Sequence, residues 1–148
     1  MLKQLINKIF GKSHEEISFK AGFDLTSIPV VTLYQGEKKF NFLLDTGSNS
    51  CIIDKNILPK IDHTMLNSNS ESLIGMEGNQ IMVNKCMITL YFGDKGYEYS
   101  YLVNDMSQAF NNIKHDTGVT LHGIIGSSFF NKFKYVLDFD KLVAYSKL

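Results

Sequence analysis

The stretch Phe40 to Asp54, FNFLLDTGSNSCIID, limits what this chain can fold into more than any other. Its apolar residues Phe40, Phe42, Leu43 and Leu44 deliver an aspartate, Asp45, to the end of a run. The small polar turn Thr46-Gly47-Ser48 follows at once, and Ile52-Ile53 leaves it. The pattern predicts strand, tight turn, strand. Gly47 lets the backbone bend past the carboxylate with no Cβ in the way. The hydroxyls of Thr46 and Ser48 stand within reach of a carboxylate oxygen or of neighbouring backbone. Asp-Thr-Gly-Ser is also ordinary loop composition. The flanking apolar runs give it weight, because they bury the turn, and a buried aspartate is rare unless paired or at work.

Leu43-Leu44-Asp45-Thr46-Gly47-Ser48 resembles the catalytic turn of the aspartic proteases. The later stretch His122-Gly123-Ile124-Ile125-Gly126-Ser127-Ser128-Phe129 resembles that family's second signature. There, two apolar residues and a glycine close a loop around the catalytic turn and start a short helix. The two motifs stand in the family's order, with room for a flap between them. A single Asp-Thr-Gly places the resemblance with the half-length, retropepsin-like branch, in which two chains each contribute one aspartate. The resemblance covers Ile28 to Leu148. It implies a mainly all-β fold, a retropepsin-like acid-protease β-barrel half with short helices, working as a homodimer on a peptide or protein substrate. It implies Asp45 as the catalytic residue and Thr46, Gly47 and Ser48 as supports of the active turn. It also implies Gly123, Ile124, Ile125 and Gly126 as the second-signature loop. Residues 1–27 lie outside it and are expected to form an N-terminal amphipathic helix and linker ahead of a domain over 28–148.

A chain of 148 residues with 44% hydrophobic residues is sized for one domain with a real core. Fifteen basic and 15 acidic residues give a formal net charge of zero, so no general affinity for nucleic acid follows. Eleven Phe and seven Tyr with no Trp suit a β-rich core. Two cysteines, Cys51 and Cys86, do not make a disulfide framework and suit a reducing, cytoplasmic setting. Cys51 closely follows the active turn, yet no His is near it in sequence, and it reads as a small buried apolar residue rather than a nucleophile. His14, His63, His115 and His122 show no metal spacing with Cys or carboxylates, so no metal and no cofactor is expected. His122 reads as a packed or surface histidine.

Taken in order, Leu2, Leu5, Ile6, Ile9 and Phe10 recur at helical spacing, with Lys3, Gln4, Asn7 and Lys8 opposite and Gly11 as the stop. Residues 1–12 therefore predict an amphipathic helix that packs on its own domain or a partner, with membrane-surface contact as the alternative. The run is too interrupted for a spanning helix or a signal peptide. A strand is expected over Ile17 to Ala21. A hairpin follows, Ile28 to Tyr34 and Lys39 to Leu44, then one helical turn from Asp54 stopped near Pro59. Ile61 to Ser70 is mostly polar, with Asn67-Ser68-Asn69-Ser70 a clear loop. Ser72 to Leu90 predicts a second hairpin whose tip, Gly75-Met76-Glu77-Gly78-Asn79, is made supple by two glycines. The resemblance makes Ile74, Gly75, Met76, Glu77 and Gly78 a flap that folds over substrate, excluding water and offering backbone hydrogen bonds. A third hairpin joins Thr89–Phe92 to Tyr97–Val103. Met106, Ala109, Phe110 and Ile113 share one side of a short helix ended by Gly118. Leu121 to Ile125 predicts a buried strand, Ser127 to Lys132 a short helix, and Tyr135–Phe139 and Leu142–Tyr145 the last two strands.

Aspartic-protease chemistry needs two carboxylates sharing one proton around one water, so a lone Asp45 needs a second copy of the chain. In the family, the threonine of this turn bonds across the dimer axis, which Thr46 would do here. The terminal strand Leu142–Leu148 is the expected dimer seam. Ser48 is expected to donate to the ionised Asp45 and so to favour an acidic working range. Two other readings fit the same residues: a peptide-binding or assembly module that cleaves nothing, and a small β-domain tethered by its helix with Asp45 merely structural.

Overall fold

The computed structural model describes residues 14–66, 71–74 and 80–148, together with Leu2 and Leu5, which are helical and exposed. The rest of the expected N-terminal helix, the loop 67–70 and the hairpin tip 75–79 lie outside the described residues. Among the described residues eleven strands form: β1 (Ile17–Ser18), β2 (Val30–Gln35), β3 (Lys38–Asp45), β4 (Ile52–Asp54), β5 (Thr64–Met65), β6 (Glu71–Ile74), β7 (Gln80–Phe92), β8 (Lys95–Asn104), β9 (Gly123–Gly126), β10 (Tyr135–Asp138) and β11 (Val143–Ser146). From residue 14 on, the described residues also form helices α1 (Lys20–Thr26), α2 (Ser107–Thr117) and α3 (Ser127–Phe133). A 3-10 helix spans Lys55–Lys60. No helix among the described residues is long and apolar enough to cross a membrane.

Strands β2, β3, β9, β4, β8 and β7 are hydrogen-bonded in that order, and Tyr34 pairs with Tyr91 to join β7 back to β2. The six strands thus close into a barrel, which removes the exposed edges that an open sheet would carry. Along β3 the side chains alternate: Phe40, Phe42 and Leu44 are buried inside, while Asn41, Leu43 and Asp45 are half-buried on the other face. Two tight turns set the hairpin registers. Gly36 (φ 61°) lies between β2 and β3, and Gly93 (φ 63°) lies between β7 and β8. Both sit in the left-handed region that two-residue hairpins require. The arms of the second hairpin, β6 and β7, pair as expected from Glu71↔Val83 to Ile74↔Gln80.

The expected strand Ile17–Ala21 is a two-residue strand followed by helix α1. The alternation Ile17, Phe19 stops there, and the next inward residue is Phe23, one helical turn on. Gly22 allows α1 to sit on β2, since a Cβ there would stand 2.5 Å from the Val30 carbonyl oxygen. Phe19 is 1% exposed in the main core, and its N–H donates to the Leu142 carbonyl at 2.9 Å. Residues 17–26, expected in a linker, are therefore packed into the domain.

The terminal strand is a second correction. Strand β11 runs Val143–Ser146 and is the centre of a three-stranded sheet, with β10 on one side and β1 on the other. Ile17 and Ser18 occupy the edge of Ala144 and Val143, and the His14 ring stacks on Tyr145 at 5.3 Å. One edge of β11 pairs along β10, and the other pairs with β1 at Val143 and Ala144, so that part of the segment expected as a dimer seam is paired within the chain.

The helical turn expected from Asp54 with a stop near Pro59 forms as the 3-10 helix, with Pro59 at its second-last position. Thr64 and Met65, in a stretch to which the sequence assigned no strand, pair with Met87 and Cys86 at the sheet edge. Helix α2 forms with Phe110 buried and Met106 and Ile113 half-buried, and Gly118 (φ 78°) ends it; Ala109, grouped with them by spacing, is exposed.

Asp54, 7% exposed, ties these pieces together. Its Oδ1 accepts from the Asn56 backbone N–H (3.3 Å), the Asn56 side-chain amide (3.0 Å) and the Met106 N–H (3.2 Å). It thereby caps the 3-10 helix and holds the entrance to α2. Asp54→Ala is expected to lower stability by about 2 kcal/mol, and Asp54→Asn, which keeps an acceptor, by less, as measured by urea unfolding.

Candidate active site

Strand β3 ends on Asp45, and β9 runs parallel beside it in the register Phe42↔Gly123, Leu43↔Ile124, Leu44↔Ile125 and Asp45↔Gly126. The two motifs are thus side by side, and their ends meet at the same level. After Asp45 the chain turns back at once. Gly47 N–H donates to Asp45 Oδ1 at 2.9 Å, and Ser48 N–H to the Asp45 carbonyl at 3.2 Å. Among the described residues nothing else bonds the Asp45 carboxylate. Asp45 is half-buried rather than buried, and Thr46 and Gly47 stand exposed at the tip of the turn.

The start of α3 clamps this turn from behind. Ser127 N–H donates to the Ser48 carbonyl (2.7 Å), Ser128 N–H to the Asn49 carbonyl (3.3 Å), and Gly126 N–H to Cys51 Sγ (3.4 Å). The first N–H groups of a helix have no partner inside it, and here the turn supplies acceptors. Gly126 must be glycine for this clamp to close. A Cβ there would run into the Ser50 carbonyl oxygen and stand 2.8 Å from the Ser48 carbonyl oxygen. Gly123 is required in the same way, because its Cβ would strike the Phe42 ring and lie 2.5 Å from the Ile52 carbonyl oxygen. An aromatic bed seats α3: the Phe129 ring stacks on Phe92 at 5.1 Å, Phe133 lies 4.5 Å from Tyr97, and Tyr135 donates its hydroxyl proton to Tyr97 at 3.0 Å. Such pairs add about 0.5–1.5 kcal/mol each beyond their burial.

The expected role of Ser48 changes. Its hydroxyl donates to the Ser50 carbonyl at 2.7 Å, not to Asp45. The hydroxyl braces the turn, and its single proton is already committed to that carbonyl. Cys51 is 1% exposed beneath the turn, and burial pushes its thiol up to about 12, against the smaller effect of the Gly126 N–H. Both cysteines are free thiols. A protonated, enclosed thiol is a packing group, as the sequence reading held. Of the flap residues, Ile74 closes the β6–β7 ladder opposite Gln80, and Gly75, Met76, Glu77 and Gly78 lie outside the described residues.

Asn41 was not singled out in the sequence, and His122 was read only as a packed or surface histidine; both support the site. Asn41 and His122 lace β3 to the approach to β9. Asn41 N–H donates to His122 Nδ1 (2.8 Å), His122 N–H to the Asn41 carbonyl (2.8 Å), and the Asn41 side-chain amide to the Thr120 carbonyl (2.9 Å). Burial, then the charge of Lys60, holds the His122 ring below the ordinary histidine value, while Asp54 pulls the other way. The folded chain thus binds fewer protons here than the unfolded chain. The stability it contributes is full above the ordinary value of 6.5 and is lost as pH falls through the lower folded value. The melting temperature is expected to fall as the pH is lowered below the ordinary histidine value of 6.5, and to fall less in His122→Asn, which keeps an acceptor but does not titrate.

A closed six-stranded barrel, with an Asp-Thr-Gly turn and a Gly-bounded apolar strand laid parallel against it, is the retropepsin-like fold. A family profile described as retroviral aspartyl protease matches residues 26–138, and the chain belongs to that family. Among solved structures, the chain is similar to a retropepsin-like aspartic protease from Rickettsia conorii. The likeness has a TM-score of 0.50 at 15% identity and covers 90% of this chain and 94% of that one; at this identity it speaks for the fold. A search among curated proteins returned no match.

Proposed function

We propose that this chain is an aspartic endopeptidase in which two copies each contribute Asp45. The observation that carries this reading is the setting of Asp45: end of β3, half-open, held by one backbone N–H, in a turn clamped by the second motif. Two such carboxylates brought together cannot both ionise, so they share a proton and titrate as a pair. The ionised one takes a proton from water as the water attacks the peptide carbonyl. The other donates its proton to the carbonyl oxygen; the intermediate then collapses as the first carboxyl passes its proton to the nitrogen and the second takes one back from a hydroxyl of the intermediate, which breaks the C–N bond and releases the amine and the acid. The flap, residues 74–78, covers the substrate and excludes bulk water. A two-fold axis between the turns sets the exposed Thr46 and Gly47 of each copy against the other. In this reading Thr46 holds the pair together and Ser48 stiffens the turn, while the domain proper begins near Ile17. The free buried thiols suit a reducing, cytoplasmic location.

One observation favours a second reading. Val143 and Ala144 of the expected strand seam are paired on both edges within the chain, and a monomer with one Asp45 would bind extended peptide without cutting it. The two readings separate on one test. The full chain, at increasing concentration and over acidic to neutral pH, is incubated with a mixed peptide library and the products are read by mass spectrometry. Internal cleavage supports the peptidase. Retention of intact peptides at every concentration and pH supports the binding module.

A further inference from the structure

All 15 acidic residues of the chain lie beyond residue 13. Ahead of them, the charged residues are Lys3, Lys8 and Lys12, set among Leu2, Leu5, Ile6, Ile9 and Phe10 at helical spacing. Leu2 and Leu5 are helical and three residues apart, which puts them on one face. They are 72% and 55% exposed, so this apolar face stands open to solvent. The segment joins the domain at a fixed place. The His14 ring stacks on Tyr145, and the Glu15 carboxylate accepts the Asp94 N–H at 2.9 Å in the turn between β7 and β8. The pairing Tyr34↔Tyr91 sets that turn beside the one between β2 and β3, at the end of the barrel where β3 begins. From there β3 runs from Lys38 to Asp45, about 24 Å. The root of the segment is therefore at the end of the barrel opposite the active turn.

We propose that residues 1–12 lie as an amphipathic helix on a membrane surface rich in anionic lipid, which holds the barrel by the end away from Asp45. A helix of this length is about 18 Å long and rests in the interface without crossing it. Its leucines, isoleucines and phenylalanine enter the boundary of the acyl chains, and its lysines meet the headgroup phosphates. An anionic bilayer supplies in one partner both things this face lacks, an apolar layer and negative charge. The Asp45 turn is then presented to solution, clear of the bilayer. Such attachment is independent of whether Asp45 cuts peptide.

The full chain is floated through a density gradient with vesicles of phosphatidylcholine, alone or with about one-third phosphatidylglycerol, at low and high salt. It is expected to rise with the mixed vesicles, to stay behind with phosphatidylcholine alone, and to be released by high salt. Leu5→Glu should lower partitioning by about tenfold or more, by placing a charge on the apolar face. Lys3→Gln with Lys8→Gln should lower it by about tenfold or more as well. Because Leu5 stands in solvent, Leu5→Glu should leave the melting temperature unchanged. A full chain that stays behind with mixed vesicles at low salt overturns the proposal, as does flotation that Leu5→Glu does not reduce. A melting temperature lowered by Leu5→Glu would mean that the segment packs on its own domain, and a lowered solution mass that it covers a second copy. Either result, with no flotation, overturns the lipid surface as its partner.

Discussion

Asp45→Asn is expected to lower peptide cleavage by about a thousandfold or more, because it removes the only group in the turn that can take a proton from water. The amide has nearly the same shape, and its oxygen can still accept the Gly47 N–H that now reaches Oδ1. Fold and melting temperature should therefore change little. Loss of activity with an intact melting curve would mark the residue as chemical. Full activity in Asp45→Asn would show that cleavage, if seen, comes from elsewhere in the chain or from a contaminant. Peptide binding should survive the change, which makes the variant useful for either reading of the site.

Gly126→Ala carries the other large effect, and it acts on structure first. Gly126 has φ −99°, an ordinary value for any residue, so the penalty is steric rather than conformational. The new methyl would meet the Ser50 and Ser48 carbonyls, which belong to the backbone and cannot swing aside as a side-chain end would. Three hydrogen bonds from the start of α3 to the turn depend on that close approach. Stability should fall by about 3 kcal/mol, toward the upper end for overpacking, with activity lost well before the melting point is reached. A stable Gly126→Ala with full activity would mean that the clamp does not hold the turn.

Much of this was legible because it is local. The alternation Phe40, Phe42, Leu44 fixes which face of β3 is inside, and the Asp-Thr-Gly-Ser tetrapeptide fixes where the strand stops. Gly36 and Gly93 mark the two tight hairpins, and Phe110 with Ile113 marks α2. What the sequence hid was decided by partners far along the chain. Nothing in Val143–Ser146 shows that Ile17 and Ser18 will take its free edge. The helix α1 was masked by the short alternation Ile17, Phe19, which ends one residue before the helix begins. The Ser48 hydroxyl had two acceptors in reach, and only the folded turn shows that the Ser50 carbonyl wins. Asp54 left a fainter sign, the Asp54-Lys55-Asn56 spacing of a cap ahead of a short helix. His122 gave none for its bond to Asn41, because the pair is joined across the sheet.

The account stands or falls on whether Asp45 works in pairs, and a mixing experiment reads this most directly. Wild-type chain and Asp45→Asn chain are combined at fixed total concentration and allowed to exchange, and the cleavage rate of one peptide is followed as the wild-type fraction is varied. If each active site takes one aspartate from each of two chains, the rate follows the square of that fraction, and an equal mixture retains about a quarter of the wild-type rate. A rate that falls only in proportion, to about a half in the equal mixture, would place a complete site within one chain and contradict the shared dyad.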